Sequence, residues 1–187
     1  MAFNINSFIT AMVNDGARPN LFEIVFSSPP GSIVKASPDI VMKAKATALP
    51  SSYVGVAPVY YFGRMAKFAG DRVFEDWNVT ILLDEQDFMF GAKTFLESWS
   101  NQLKRHVANN RDTTMVTPIS YMMDAWINLW SKDGTHITAS YKMTGCFPTN
   151  IGEIPLDWQA NDIIMEFPVT FAMQWWERIP ATDAGGL

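Results

Sequence analysis

Asp71–Val107, DRVFEDWNVTILLDEQDFMFGAKTFLESWSNQLKRHV, reads as one strand feeding one helix, and the other elements can be laid against those two. In Val73–Leu83, residues Val73, Glu75, Trp77, Val79, Ile81 and Leu83 share one face, and Phe74, Asp76, Asn78, Thr80 and Leu82 share the other. A period of two, rich in aromatic and β-branched residues, predicts a strand with one largely apolar face. The period then changes. Phe88, Ala92, Phe95, Leu96, Trp99, Leu103 and Val107 recur at helical spacing and predict a helix over about 88–107. Asp87 is placed to cap its first turn, and Lys104, Arg105 and His106 complement the dipole at its end. This should be the only long helix.

Outward from that stretch the pattern is of strands. Asn20–Phe26 alternates, with Phe22, Ile24 and Phe26 on one face, and Ser27-Ser28-Pro29-Pro30-Gly31 ends it. Ile40–Thr47 predicts a second strand, with Lys43 and Lys45 on its polar face. Leu49–Pro58, with two prolines, a glycine and two serines, predicts a loop too irregular for a tight hairpin. Val59–Phe68 predicts a strand, turned by Ala69-Gly70-Asp71 into the central stretch. Beyond the helix, Ala108–Pro118 is polar and reads as a loop, and Ile119–Trp130 alternates again. Lys132-Asp133-Gly134 signals a tight turn into a partner strand over His136–Gly145. Phe147–Asn161 reads as irregular. Ile163, Met165, Phe167, Val169, Phe171, Met173 and Trp175 form the longest alternation, with Pro168 on its opposite face predicting an edge or a bulge. Near the start, Phe8, Ile9, Met12 and Val13 fit a short helical turn, and the tail Ala181–Leu187 should be mobile. Seven or so strands, one helix and no dividing linker predict one domain of mainly β class. Its economical form is an antiparallel sandwich or barrel with a single packed helix.

The 187 residues are enough for a sizeable core; 48% are hydrophobic and only 18% charged. The net charge of −5 and the absence of a basic run argue against stable nucleic-acid binding through phosphate neutralisation. Met1–Val13 lacks a charged region followed by an apolar run, so no signal peptide is expected. No stretch approaches ~18 uninterrupted apolar residues, the length of a membrane helix. A single cysteine, Cys146, excludes an internal disulfide and fits synthesis in a reducing cytoplasm.

The search for chemistry returns little, and no cofactor or metal is expected. His106 is accounted for by its place at a helix end, and His136 by a solvated turn. Cys146 with His136 could be imagined as a thiol–base pair, but a lone cysteine at a strand end is usually a small buried apolar residue. Asp84, Glu85 and Asp87 lack the spacing of a calcium loop. Asn78-Val79-Thr80 matches a glycosylation acceptor but lies within a strand. No phosphate-cradling loop or zinc spacing occurs. What remains is apolar surface. Trp126 and Trp130 fall on the polar face of their strand, and Trp175 and Trp176, being consecutive, cannot both enter one core. Seven Trp and thirteen Phe in this length mean either a very aromatic core or rings buried against other subunits, and the tryptophan placement favours self-association.

Several blocks together resemble the tail tube proteins of contractile-tailed bacteriophages and related contractile injection systems. They are Ala48-Leu49-Pro50-Ser51-Ser52, Phe62-Gly63-Arg64, Ala69–Ile81, Gly145–Ile154 and Glu166–Phe171, in family order across about Asn20–Glu177. The polar stretch Ala108–Thr117 and the short tail after Glu177 depart from the family pattern. The resemblance implies a sandwich or barrel with one flanking helix, assembled as a hexameric ring whose inner strands line a continuous channel. It implies stacked rings inside a contractile sheath, with a baseplate initiator below, a tape measure protein in the lumen, and DNA passing through without stable binding. It places the protein in the virion tail, assembled in host cytoplasm.

On that reading Trp126, Trp175 and Trp176 are candidate interface anchors. The loop Ser51–Pro58, with Ser51, Ser52, Tyr53 and Val54, is a candidate arm to an adjacent subunit or ring. Ring stacking would draw also on Phe147, Asn150 and Ile151 within Phe147–Ile154. Glu75 and Asp76 are lumen-charge candidates; they point to opposite faces of the predicted strand, so at most one lines the channel through it. The rivals are a baseplate tube initiator of the same fold, a soluble β-barrel carrying a small apolar ligand, and, least favoured, an enzyme.

Overall fold

The computed structural model describes residues 4–12, 16–27, 43–85 and 91–180. Nine strands occur among them: β1 (Phe22–Phe26), β2 (Ala44–Thr47), β3 (Ser52–Tyr61), β4 (Arg64–Phe74), β5 (Trp77–Leu82), β6 (Met123–Trp130), β7 (Ile137–Ile151), β8 (Glu166–Ala172) and β9 (Trp175–Ile179). The helices are α1 (Ile5–Ala11), α2 (Ala92–Leu103) and the single turn α3 (Pro118–Tyr121), with a short 3-10 turn at Thr113–Met115. The fold is mainly β and every strand pairing is antiparallel.

Two sheets share β7. Its first part pairs with β6 on one side and β9 on the other, giving the order β1-β6-β7-β9. Its last part, Phe147–Ile151, pairs instead with β8, giving β7-β8-β5-β2. The change of sheet falls at Gly145, whose φ of +68° turns the strand. The sandwich is therefore folded around one long strand.

The alternations seen in the sequence supply the core. Trp77, Val79, Ile81 and Leu83 are buried from the β5 side, beside their neighbours Phe167, Val169 and Phe171 on β8. Ile24, Met123, Ala125, Ile127, Met143 and Cys146 come from the other sheet. Phe171 is the hub, with ring centroids 5.3 Å from Trp77, 5.5 Å from Phe26 and 6.3 Å from Trp99. Full burial of each such side chain contributes roughly 1.5–3 kcal/mol. Trp99 joins from α2, whose stripe of Ala92, Phe95, Leu96 and Trp99 is buried as its spacing requires. The Trp99 indole N–H also reaches the Tyr121 carbonyl at 2.9 Å, which satisfies its one polar group inside the core.

Several expectations need correction. The helix ends at Leu103, short of Val107, which is 99% exposed. The chain there is captured by a tight turn: Arg105 N–H donates to the Asn110 carbonyl at 2.9 Å, and the Arg105 guanidinium pairs with Asp112 at 2.7 Å. The residues expected to begin and cap the helix, Asp87 and Phe88, lie outside the described residues. Val73–Leu83 is not one strand, because Glu75 and Asp76 interrupt it between β4 and β5. Ile119–Trp130 becomes a strand only from Met123, since Pro118 opens a helical turn.

The loop expected at Leu49–Pro58 is instead β3, paired along its length with β4. Both strands of a two-stranded ribbon are edges, where Pro58 is tolerated. The turn expected at Ala69-Gly70-Asp71 lies at Phe62-Gly63, where φ values of +46° and +77° suit a two-residue hairpin loop. Gly55 and Gly70 sit inside the ladder, next to a register shift. Likewise β7 runs on through Phe147–Ile151, and the long alternation from Ile163 divides into β8 and β9. Pro168 lies in an inner strand, not at an edge. Its carbonyl accepts from Gly152 N–H at 2.7 Å, so its missing N–H falls where β7 has already ended, beyond the shift at Pro148/Asn150.

Candidate subunit interface

β2 and β5 are neighbours in one sheet, and the chain between them leaves the sandwich as the β3–β4 ribbon. Its root is fastened by short-range chemistry. Trp77 Nε1 donates to Thr47 Oγ1 at 2.7 Å, Glu75 N–H to the Ser51 carbonyl at 3.2 Å, and Ser51 Oγ to the Glu75 carboxylate. Phe74 packs edge-on against Trp176 at 6.2 Å. Past that root the ribbon stands in water on both faces. Tyr53, Val54, Val56, Val59, Met65 and Phe68 are exposed, and at the tip Tyr60, Tyr61 and Phe62 are 74%, 71% and 89% exposed. An isolated two-stranded ribbon is marginally stable at best in water, and a contiguous apolar surface of this kind marks an interaction site.

The sequence candidates distribute unevenly around this feature. Ser51, Ser52, Tyr53 and Val54 lie together at the ribbon's root, with Arg72 Nη1 donating to Ser52 Oγ at 3.4 Å. Glu75 and Asp76 are both exposed in the link between β4 and β5, so the argument that a strand separates them onto opposite faces does not apply.

The tryptophans divide by face. Register places Trp126 opposite Lys142, and Thr144, two residues on, opposite Trp175. Trp126 and Trp175 thus share the outer face of the β1-β6-β7-β9 sheet. Lys142 lies over the Trp126 ring at 5.7 Å and pairs with Asp124 at 3.0 Å. Trp176 turns inward against Phe74 and Tyr141, at 6.2 and 5.9 Å. The expectation that one core cannot hold both consecutive tryptophans matches this geometry, but Trp176 belongs to the core side and Trp175, 47% exposed, to the surface.

Phe147 and Ile151 are half-buried against the core and Asn150 is exposed, all on the second part of β7. Beyond them, 152–165 forms an irregular segment: Leu156 and Trp158 were passed over in the sequence, and Ile163 and Met165, expected to begin the long strand, precede β8. Leu156, Ile163 and Ile164 are exposed and Trp158 fully so. With Leu82 and Lys45 they line a groove of about 1050 Å³. A signal was present in the sequence: large apolar residues set in a loop that carries Glu153, Asp157 and Asp162 and no lysine or arginine.

Among the described residues, titratable groups are engaged in local structural contacts. Cys146 is buried, with its thiol 3.7 Å from the Met143 carbonyl, and burial, then the nearby Asp124 charge, pushes its pKa up to about 12. That is the bland reading of the cysteine, an inert core residue. His136 is exposed beside Asp133 and Thr135. Among the described residues no group of three or more His, Cys, Asp or Glu side chains could hold a metal ion. No helix among them is long and apolar enough to cross a membrane.

Comparison with known proteins gives a consistent picture. The family described as phage tail tube protein matches residues 17–178. Tail tube protein gp19 of Enterobacteria phage T4 is 33% identical over 163 residues, covering 87% of this chain and 92% of that protein. A tail tube protein of Serratia phage KSP90 is 25% identical over 166 residues, covering 87% and 90%. Among solved structures, the tube-terminating cap of the anti-feeding prophage aligns with a TM-score of 0.63 at 12% identity, covering 89% of this chain and 92% of that one. A chain from a sheath-tube complex of an extracellular contractile injection system aligns with a TM-score of 0.59 at 15% identity, covering 95% and 99%. At those identities the two structures speak to the fold alone.

Proposed function

This chain belongs to the phage tail tube protein family, a structural component of the virion tail, and from that premise we propose that six copies close into a ring and that rings stack into the tube. The observation that carries the reading is the β3–β4 ribbon, an apolar surface that a lone copy holds out in water. The sheets support it too. β1, β9 and β2 stand at sheet ends, and a ring that joins sheets between copies removes such edges. Trp126 and Trp175 on one outer face are the anchors of the within-ring contact. The ribbon, rooted at Ser51–Val54, is the arm to another copy. Phe147, Asn150 and Ile151 adjoin the stacking surface.

A contractile sheath is the outer partner, a baseplate initiator the template, and a tape measure protein followed by DNA the contents of the lumen. Six copies, each at −5, make a ring that repels phosphate, so DNA slides through without sticking. Glu75 and Asp76, both exposed, remain the lumen candidates. The protein needs no catalysis for this. Assembly takes place in host cytoplasm.

Negative-stain electron microscopy at several concentrations, with mass photometry beside it, tests the reading. Six-fold rings or hollow tubes of uniform diameter are expected. Rings that never stack would shift the assignment to a tube initiator. A monodisperse monomer at every concentration would overturn it.

A further inference from the structure

The ribbon and the groove lie at opposite ends of one sheet. The ribbon leaves at the Trp77–Phe171 end of the β5–β8 pair, and the groove opens at the Leu82–Glu166 end. Six paired residues separate the two ends by about 17 Å. A copy's ribbon is therefore rooted at the end of the sheet opposite its own groove. Two complementary surfaces at opposite ends make a head-to-tail contact, which repeats without closing when copies are translated along one axis.

The chemistry of the two surfaces also matches. The ribbon tip is aromatic, Tyr60-Tyr61-Phe62, and the first charges beyond it are Arg64 and Lys67. The groove is apolar, with Leu156, Trp158, Ile163 and Ile164, and its wall carries Asp157 and Asp162. At the inner end Lys45 is already paired with Glu166, so the wall keeps its acidic character. The segment is shaped before any partner arrives. Asp157 Oδ1 accepts from Gln159 N–H at 2.9 Å, and Ala160 N–H returns to the Asp157 carbonyl at 3.2 Å.

We propose that the groove formed by 155–166 with Leu82 and Lys45 is the receptor for the β3–β4 ribbon tip of a second copy of this chain. The aromatic tip enters between Trp158 and Ile163, and Arg64 and Lys67 meet Asp157 and Asp162. The inference rests on the tube reading and adds the receiving surface. Steering by opposite charge fixes the register of the contact, and the buried aromatics give its affinity.

The test is a charge exchange in the full chain. Arg64→Glu with Lys67→Glu, and separately Asp157→Lys with Asp162→Lys, should each reduce stacked rings about tenfold at fixed concentration while single rings persist. The four substitutions combined should restore stacking. Circular dichroism of each variant controls for folding. Independently, Phe62→Cys in one sample mixed with Trp158→Cys in another should yield an intermolecular disulfide that neither sample forms alone. Groove variants that stack normally, with no such disulfide, would overturn the receptor assignment and leave the tube reading standing. A wild-type chain that forms no rings would overturn the tube reading itself.

Discussion

Trp77 and Thr47 are joined by a 2.7 Å hydrogen bond from the indole N–H to the hydroxyl, across the point where the long ribbon departs from the sheet. Trp77 is fully buried, so its N–H has no water to fall back on. Thr47 Oγ1 in turn lies 3.1 Å from the Asn78 carbonyl and can donate to it, tying β2 to β5 by side chain as well as ladder. Thr47→Val keeps the shape and removes the acceptor. Leaving a buried donor unpaired should cost about 1–3 kcal/mol, read as a lower urea midpoint with unchanged slope. Trp77→Phe with Thr47→Val should recover part of the hydrogen-bond loss relative to the sum of the single changes.

Gly145 is where β7 passes from one sheet to the other. Its φ of +68° is unfavourable for a side chain, and a Cβ there would sit 2.8 Å from Gln174 Cγ and 3.3 Å from Met122 Sδ. Its N–H donates to Asp124 Oδ1 at 3.1 Å, which holds the corner against β6. Gly145→Ala should cost about 1–3 kcal/mol, since strain and crowding add. Thermal unfolding of the purified protein would show this as a fall in Tm. An unchanged Tm would mean that β7 can turn elsewhere.

Periodicity revealed the parts of the fold that have one buried face. Trp77, Val79 and Ile81, Phe167, Val169 and Phe171, and Phe95, Leu96 and Trp99 were readable for that reason, since each set meets the same core. The ribbon was not. Neither of its faces is buried in one copy, so β3 carries no alternation to read, and its Gly and Pro residues resemble loop punctuation. The break between β8 and β9 was hidden differently. Met173 and Trp175 keep the period of two, yet Gln174 N–H turns to the Thr144 carbonyl at 3.0 Å, and the chain leaves β5 and the last part of β7 to pair with the first part of β7. Of the site, the placing of Trp126 and Trp175 on one face needed register across three strands. The groove around Trp158 needed the third dimension outright.

Cys146 gives a pH-dependent prediction. Its thiol is buried, and its pKa rises from an ordinary 9.0 to about 12 through burial first and the Asp124 charge second. The folded thiol stays neutral where the unfolded one ionises. Ionisation of Cys146 therefore leaves stability unchanged below pH 9 and lowers it as pH rises from there towards 12. Cys146→Ala should flatten that alkaline loss while costing some packing. Native protein at pH 8 should resist alkylation, followed by intact mass, and should label only when urea unfolds it. Rapid labelling of the native chain would show that the site opens.

Trp175 and Trp176 are neighbours in sequence with opposite expected fates. Trp176 packs against Phe74 and Tyr141, which couples the ribbon's root to β9, and its own indole N–H is buried with no acceptor among the described residues. Trp176→Ala removes that packing and should cost roughly 3–5 kcal/mol, whereas Trp176→Phe keeps much of the ring, removes the unpaired donor, and should cost far less. Trp175 is half exposed on the outer face with Trp126, so Trp175→Ser should change monomer stability by about 0.5 kcal/mol or less. If that face joins copies within the ring, the same Trp175→Ser should raise the concentration needed for ring formation at least about tenfold, as truncating a buried aromatic anchor does. Denaturant midpoints and mass photometry on the same three variants separate the two roles. A Trp175→Ser chain that assembles like wild type would remove Trp175 from the contact, and a Trp176→Ala chain of unchanged midpoint would contradict its place in the core.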